Sequence, residues 1–214
     1  MYETSPEHRR HLIHVLHMAY SGEKAAAYAY NAHWRSLKDP EQSAAIKKIE
    51  QEELDHRAIV GRMLATLDAK PQAWRELMMA IIGRSAGIAC YIGGWFFPMY
   101  FAGRLESANV NEYAVAAFHA RHLGLDDFVS ELNRLSLVEK QHELFFLGMV
   151  QGHPRLPLIR VFFKWGALAP PNTVSLDAPN GGMLRDDGNS RSAGEAAESG
   201  SRDALAVDTS KSSE

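Results

Sequence analysis

The stretch Ile49-Glu-Gln-Glu-Glu-Leu-Asp-His56 contains Glu53 three residues before His56, and the stretch Glu139-Lys-Gln-His142 repeats this spacing 86 residues later. Residues three apart project from the same side of a helix, so each Glu-x-x-His motif can offer a carboxylate oxygen and an imidazole nitrogen to one metal ion. Both motifs lie on apolar helix faces with a spacing of three and four residues. The pair therefore predicts a site for two metals inside a helical protein.

A single glutamate on an apolar stripe precedes each motif, Glu23 before the first and Glu106 before the second. In two antiparallel helices joined by a short turn, residues equidistant from the turn face each other. The midpoint between Glu23 and the first motif falls on residues 38–40, Lys-Asp-Pro. The midpoint between Glu106 and the second motif falls on residues 122–124, His-Leu-Gly. Both tripeptides are turn signals, so each hairpin is predicted to place a lone glutamate opposite a Glu-x-x-His motif.

Packing these two hairpins together collects six side chains at one interior level. Carboxylates with one imidazole per metal suit iron or manganese better than a closed zinc site. A surface position is the usual explanation of a single such motif, but all six residues lie on apolar stripes, where an unpaired carboxylate is costly to bury. The predicted ligands of two iron ions, with manganese as the alternative, are Glu23, Glu53, His56, Glu106, Glu139 and His142.

The predicted fold is all-α, a four-helix bundle with an apolar crossover helix and a short C-terminal amphipathic helix. Hydrophobic periodicity and turn signals place the first, second and fourth helices at residues 6–36, 41–69 and 103–121, and a fifth begins near Asp126.

Of the remaining candidate residues, Glu112 lies off the stripe of Glu106 and is not predicted as a ligand. A run of histidines spaced by three lacks carboxylates or cysteines at ligand spacing and is predicted to be a partly exposed helix face; its members are His8, His11, His14 and His17.

The crossover, residues 77–102, is apolar on every side except at Arg84. Its uncharged part, residues 85–103, is long enough by count for a transmembrane span. Gly87, Gly93, Gly94 and Pro98 interrupt this part, so a buried or bilayer-grazing helix is favoured over a straight span.

Basic and large apolar residues alternate over residues 155–166, a composition typical of a helix at a membrane interface. A terminal helix that caps the bundle is the alternative, because amphipathicity alone does not separate the two. The residues predicted to contact a membrane are Phe96, Phe97, Phe162, Phe163 and Trp165.

The chain has 214 residues, 46% hydrophobic and 23% charged, which suits a soluble globular protein with one sizeable core. Its single cysteine, Cys90, excludes a disulfide framework or a multi-cysteine metal site within the chain. The first residues lack the apolar core of a secretory signal, so a cytoplasmic location is predicted.

The composition changes at Pro170, after which Pro, Gly, Ser, Asp and Ala dominate without periodicity. Residues 1–169 are therefore predicted to form the helical domain and residues 170–214 a disordered tail. The tail has eight acidic and four basic residues, which leaves residues 1–169 close to neutral at +1. A nearly neutral domain argues against a nucleic-acid partner.

The spacing of the six predicted ligands is similar to that of ferritin-like di-iron proteins, and the surrounding sequence resembles the demethoxyubiquinone hydroxylase family of ubiquinone biosynthesis. Residues 21–23, Ser-Gly-Glu, resemble the family's Ala-Gly-Glu, and residues 50–56 resemble its second-helix metal motif. Tyr113, seven residues after Glu106, also fits, whereas Glu112 stands where the family usually has histidine. The resemblance covers residues 10 to about 165.

This resemblance implies a monooxygenase that uses two ferrous ions and dioxygen to hydroxylate the ring of a prenylated quinone or quinol, with electrons from an unidentified donor. It implies a ferritin-like bundle attached peripherally to the inner face of the cell membrane, and Tyr113 is the candidate catalytic residue near the metals. The resemblance does not decide whether the chain forms a homo-oligomer. The alternatives are a rubrerythrin-like peroxide reductase, disfavoured by the missing rubredoxin cysteines, and a non-catalytic iron-binding ferritin-like protein.

Overall fold

A computed structural model describes residues 5–165, which form six α-helices and no strand. The prediction of an all-α fold is confirmed, while the predicted tail, residues 170–214, lies outside the described residues. The helices are α1 (Ser5–Ser36), α2 (Pro40–Thr66), α3 (Ala73–Ile92), α4 (Phe96–His122), α5 (Asp126–Val150) and α6 (Leu156–Phe162).

Two short turns close the hairpins α1–α2 and α4–α5, where the sequence predicts them. Asp39 caps α2, because its Oδ1 accepts hydrogen bonds from the backbone N–H groups of Glu41 and Gln42 at 2.9 and 3.1 Å, and Pro40 occupies the first helical position. Gly124, after α4, has φ +68°, a left-handed conformation that favours glycine.

The crossover prediction is wrong in one respect, because residues 77–102 do not form a single helix. Gly94 adopts φ +69° and separates α3 from α4, which begins at Phe96 instead of residue 103. The break coincides with the Gly93-Gly94 pair, one of the interruptions noted in the sequence, whereas the apolar character on both sides of it does not change. Helix α2 also ends three residues earlier than predicted, at Thr66.

Two apolar clusters fill the interior at different levels along the helices. The first contains residues of α1, α2, α4 and α5, among them Leu16, Leu64 and Leu135, and the second contains Tyr30, Ile49 and Phe146. Along each of these four helices the predicted metal ligands fall between the members of the two clusters. The interior therefore consists of a polar layer between two apolar ones.

Helix α3 packs against α1 at two glycines. A Cβ atom added to Gly83 would lie 2.4 Å from the backbone oxygen of Ala25, and one added to Gly87 would lie 2.8 Å from the Cβ of Ala32. The two backbones approach so closely because glycine has no side chain at these positions. The opposite side of α3 carries exposed apolar residues, including Ile92, which is 82% exposed.

The burial of two aromatic residues corrects the predicted membrane contacts. Phe96 and Trp165 are 2% and 1% exposed and belong to the second apolar cluster, so neither can contact a bilayer. Phe162 and Phe163 are 70% and 43% exposed, and Phe97 is half-buried. None of the helices in residues 5–165 has the length and hydropathy needed to cross a membrane.

Candidate metal centre

The six predicted ligands come from four helices and lie in the polar layer between the apolar clusters. Helix α1 contributes Glu23, α4 contributes Glu106, and α2 and α5 contribute the two Glu-x-x-His motifs. All six side chains are buried, with at most 5% of each residue exposed. The hairpin geometry inferred from the two midpoints therefore brings each lone glutamate to the level of a motif.

The ligand atoms of these side chains form two groups of four. In each group, one oxygen or nitrogen atom from every residue lies within 4.8 Å of the others. The first group is Glu23, Glu53, His56 and Glu139, and the second is Glu53, Glu106, Glu139 and His142. Because Glu53 and Glu139 belong to both groups, each can contribute one oxygen to either of two neighbouring cations.

Inward-facing atoms of the cluster lack hydrogen bonds. Six buried oxygen and nitrogen atoms of five of these residues have no hydrogen-bond partner within residues 5–165: Glu23 Oε2, both carboxylate oxygens of Glu53, His56 Nδ1, Glu139 Oε1 and His142 Nδ1. Each such atom costs roughly 1–3 kcal/mol when it is left unpaired in the interior. Cations with oxygen and nitrogen ligands would compensate all six at once, so this donor set fits a metal centre.

The imidazole nitrogens face carboxylates at short range. His56 Nδ1 lies 2.8 Å from Glu139 Oε1, and His142 Nδ1 lies 3.2 Å from Glu53 Oε1. Neither contact has the angles of a hydrogen bond. Close approach without hydrogen-bond geometry is expected for atoms that point at a common position, so Nδ1 is the nitrogen that each histidine can offer to a metal.

Burial shifts the pKa values of the carboxyl groups in the cluster. Burial and the nearby carboxylates raise the pKa of Glu23, and they raise those of Glu53 and Glu106 much further. Glu139 differs, because its contacts with His142 and His56 outweigh burial and lower its pKa. Without metal, the cluster therefore retains protons, and a bound divalent cation would displace them.

Two tyrosines donate hydrogen bonds to the lone glutamates Glu23 and Glu106. Tyr113 on α4 donates a hydrogen bond to Glu23 Oε1, and Tyr30 on α1 donates one to Glu106 Oε1. Both phenols are buried, and burial together with the neighbouring carboxylates raises their pKa values well above 10.0. Each tyrosine therefore stays protonated and donates to its glutamate. The sequence singles out Tyr113, but it places Tyr30 only on the apolar stripe of the first helix.

A third carboxylate interaction involves Glu52, the residue directly before the first Glu-x-x-His motif. Glu52 Oε2 lies 2.9 Å from His142 Nε2, and Lys48 Nζ lies 2.9 Å from Glu52 Oε1. A carboxylate at the outer nitrogen of an imidazole fixes the orientation of the ring and keeps the other nitrogen available for a metal. The helical wheel of α2 alone gives no sign of this contact, because the histidine comes from α5.

Glu112 is not part of either group, as predicted, but it lies nearby. It lines a small cavity together with Glu23 and Tyr113. Burial and the negative charge of Glu23 raise the pKa of Glu112 to about 7. Its offset from the stripe of Glu106 therefore places it beside the cluster instead of in it.

The histidine run is a partly exposed helix face, as the sequence predicts. His11 and His14 are exposed, but His8 is 6% exposed and its Nδ1 lies 2.9 Å from the Nδ1 of His119. The ring of His8 also stacks on that of His122 at 4.3 Å. The C-terminal end of α4 covers His8, a tertiary contact that helical spacing in α1 does not reveal.

Comparison with protein-family models, with curated proteins and with solved structures gives no match to this chain. The described residues thus define a class by structure alone: an all-helical bundle whose buried carboxylate and histidine clusters can hold metal ions.

Proposed function

We propose that the chain is a di-iron monooxygenase of the demethoxyubiquinone hydroxylase type, which hydroxylates the ring of a prenylated quinol. The observation that carries this proposal is the sharing of Glu53 and Glu139 by two groups of four ligand residues. Two metal positions joined by carboxylates suit a dinuclear iron centre better than two independent structural sites. Within this proposal the bundle is ferritin-like, and the substrate class rests on the sequence resemblance.

The proposed reaction converts a ring C–H bond to C–OH with one atom of dioxygen. The other oxygen atom leaves as water, which takes up two protons and two electrons from an external donor. Iron supplies the activation of dioxygen when it is bound. The chain provides the six ligands, the hydrogen bonds of Tyr30 and Tyr113 that orient Glu106 and Glu23, and the apolar layers that exclude water.

Peripheral attachment to a membrane is part of the same proposal, because a prenylated quinol dissolves in the bilayer. Its support is the exposed apolar surface of α3 and α6. On α6, Val161 and Phe162 are 67% and 70% exposed, and on α3 Ile88 and Ile92 are 65% and 82% exposed. Surfaces of this kind mark interaction sites on soluble domains.

The test is turnover by the full chain after purification without oxygen. The protein is loaded with ferrous iron and incubated with a reductant, a short-chain demethoxyquinol and ¹⁸O-labelled dioxygen, and the product is analysed by mass spectrometry. We expect one labelled oxygen atom in the ring, and loss of the product in Glu53→Ala. Consumption of peroxide without a hydroxylated product would favour the peroxide reductase, and iron binding without either reaction would favour an iron-binding protein.

A further inference from the structure

One side of the bundle carries four basic side chains that no carboxylate neutralises. Within residues 5–165 none of the four forms an ion pair, although other basic residues do, such as Lys140, whose Nζ lies 2.6 Å from Glu143 Oε2. Three of them are exposed and the third in chain order is half-buried. The four are Arg104 on α4, Arg155 directly before α6, Arg160 on α6 and Lys164 after it.

The chain around these residues has no acidic side chain to oppose them. Residues 77–105 cover most of α3 and the start of α4, and residues 144–165 cover the end of α5 and all of α6. Together the two stretches have five lysine or arginine residues and no aspartate or glutamate. Because residues 1–169 carry a net charge of +1, the remainder of this domain is at −4. The two stretches therefore hold the excess positive charge of the domain.

Aromatic contacts bring the two stretches together. The rings of Phe101 on α4 and Phe163 after α6 lie 5.1 Å apart, and both residues are exposed, by 39% and 43%. The hydroxyl group of Tyr100 donates a hydrogen bond to the backbone oxygen of Phe163 at 2.9 Å. The guanidinium carbon of Arg155 lies 5.9 Å from the centre of the Phe97 ring. Residues of α4 and of the α6 segment thus form one continuous surface.

Two of the unpaired arginines lie on this same surface. Arg104 lines a cavity together with Phe97 and Phe101. Burial raises the pKa of Tyr100, while the positive charges of Arg160 and Arg104 act against this shift, which places both guanidinium groups near the Tyr100 ring. The four basic residues therefore surround partly exposed aromatic rings, and we call this surface the basic face.

We propose that the basic face binds the headgroups of anionic membrane lipids and gives the protein a preference for negatively charged bilayers. This inference rests on the proposed function, because it names the lipid class at the proposed membrane contact. Guanidinium and ammonium groups donate hydrogen bonds to phosphate oxygens. Exposed apolar side chains between such groups enter the boundary between headgroups and acyl chains. Clusters of four or more basic residues at a membrane surface are typical of binding to anionic lipid.

Vesicle binding by the full chain tests the preference. Cosedimentation compares vesicles of phosphatidylcholine alone with vesicles in which one lipid in three is phosphatidylglycerol. Each basic residue near an anionic surface strengthens binding by about fivefold. We expect the wild type to bind the anionic vesicles at least about tenfold more tightly at low salt. Molar salt should remove this preference, because it screens the charges.

A charge-matched pair of variants locates the effect. Arg155→Gln/Lys164→Gln removes two exposed charges of the basic face and should weaken binding to the anionic vesicles by about 25-fold, with little change for neutral vesicles. Arg62→Gln/Arg121→Gln removes the same charge at exposed positions of α2 and of the C-terminal end of α4, and should keep the preference. Circular dichroism checks that each variant is folded.

Equal binding of the wild type to neutral and anionic vesicles at low salt would overturn the inference, and so would binding to neither. A folded Arg155→Gln/Lys164→Gln protein with the full preference would also overturn it. These outcomes differ from a failure of the proposed function. If the preference depends on the basic face but the short-chain quinol is not hydroxylated, the hydroxylase proposal fails and the lipid surface stands. If the quinol is hydroxylated but the wild type shows no lipid preference, only the present inference fails.

Discussion

Tyr113 on α4 donates its phenolic hydrogen to Oε1 of Glu23 on α1. The reciprocal contact links Tyr30 on α1 to Glu106 on α4, and each tyrosine follows the glutamate of its own helix by seven residues. The internal repeat therefore extends from the motifs to their hydrogen bonds. Each half of the bundle orients the lone glutamate of the other half, so the two hairpins are needed together to build the cluster.

We expect Tyr113→Phe to weaken metal binding, because Glu23 loses the donor that fixes its carboxylate. Loss of such a supporting contact typically reduces metal affinity about 10- to 100-fold. Competition with a chelator of known affinity measures the change. Tyr91→Phe is the control, since Tyr91 on α3 is 58% exposed. Equal affinities of the Tyr113→Phe and Tyr91→Phe proteins would show that the contact with Glu23 does not support the metal.

The metal-free protein should lose stability as the pH rises. Glu53 and Glu106 have folded-state pKa values raised above 4.5 by burial, so their stabilising contribution is complete below that value and is lost as the pH rises through the folded pKa. Glu139 has a lowered folded-state pKa, so its stabilising contribution is present above pH 4.5 and is lost only as the pH falls below that value. We therefore expect the free energy of unfolding to fall as the pH rises from 4.5 towards the folded-state pKa values of these two groups.

Urea unfolding after chelator treatment measures this dependence. Glu53→Gln removes one of the buried acids and should flatten the slope against pH. Metal loading should reverse the trend, because ligand deprotonation favours binding at higher pH. Metal-free protein whose stability rises over the same pH interval would contradict the assigned pKa directions.

Alanine should have opposite effects at two glycines, because Gly83 on α3 packs closely on α1 whereas Gly148 on α5 has open space around it. Gly83→Ala places a Cβ atom against the backbone of Ala25 and should destabilise the protein by about 1–3 kcal/mol. Gly148→Ala on α5 meets no atom within 4 Å and should stabilise it by about 0.5–1 kcal/mol. Thermal and urea unfolding compare the two variants. Similar effects at both positions would argue against the close approach of α3 to α1.

Membrane attachment predicts that a charge on the exposed face of α3 weakens binding to lipid. Ile88 is 65% exposed, and its insertion into a bilayer would contribute roughly 1.5–3 kcal/mol. Ile88→Asp should therefore lower the fraction of protein that floats with liposomes by about tenfold or more. Leu137→Asp, at a 54% exposed position of α5, is the control. Equal flotation of the Ile88→Asp and wild-type proteins would remove α3 from the proposed contact surface.

The layer of ligand residues could be predicted from sequence because it depends on regular quantities, the rise of a helix and the position of a turn. Contacts between hairpins could not, because they depend on how one helix is rotated against another. The sequence of α2 gives no sign that Glu52 has a partner, yet α5 brings His142 to it.

The burial of Trp165 likewise depends on how the helices pack against one another. Trp165 lies in a segment with the composition of a membrane-interface helix, but it packs against Gly103 and its Nε1 donates a hydrogen bond to Glu143 Oε1 at 3.0 Å. Composition indicates that such a segment is amphipathic, whereas tertiary packing decides which aromatic ring turns inward.

The iron content of the full chain, measured after anaerobic loading with ferrous iron and removal of unbound metal, tests the central claim most directly. Two groups that share Glu53 and Glu139 predict about two iron ions per chain. Glu53→Ala should lose most of the iron because Glu53 belongs to both groups, whereas Glu41→Ala, at an exposed position of α2, should retain it. Less than one iron per chain in the wild type, with no further loss in Glu53→Ala, would contradict the dinuclear centre.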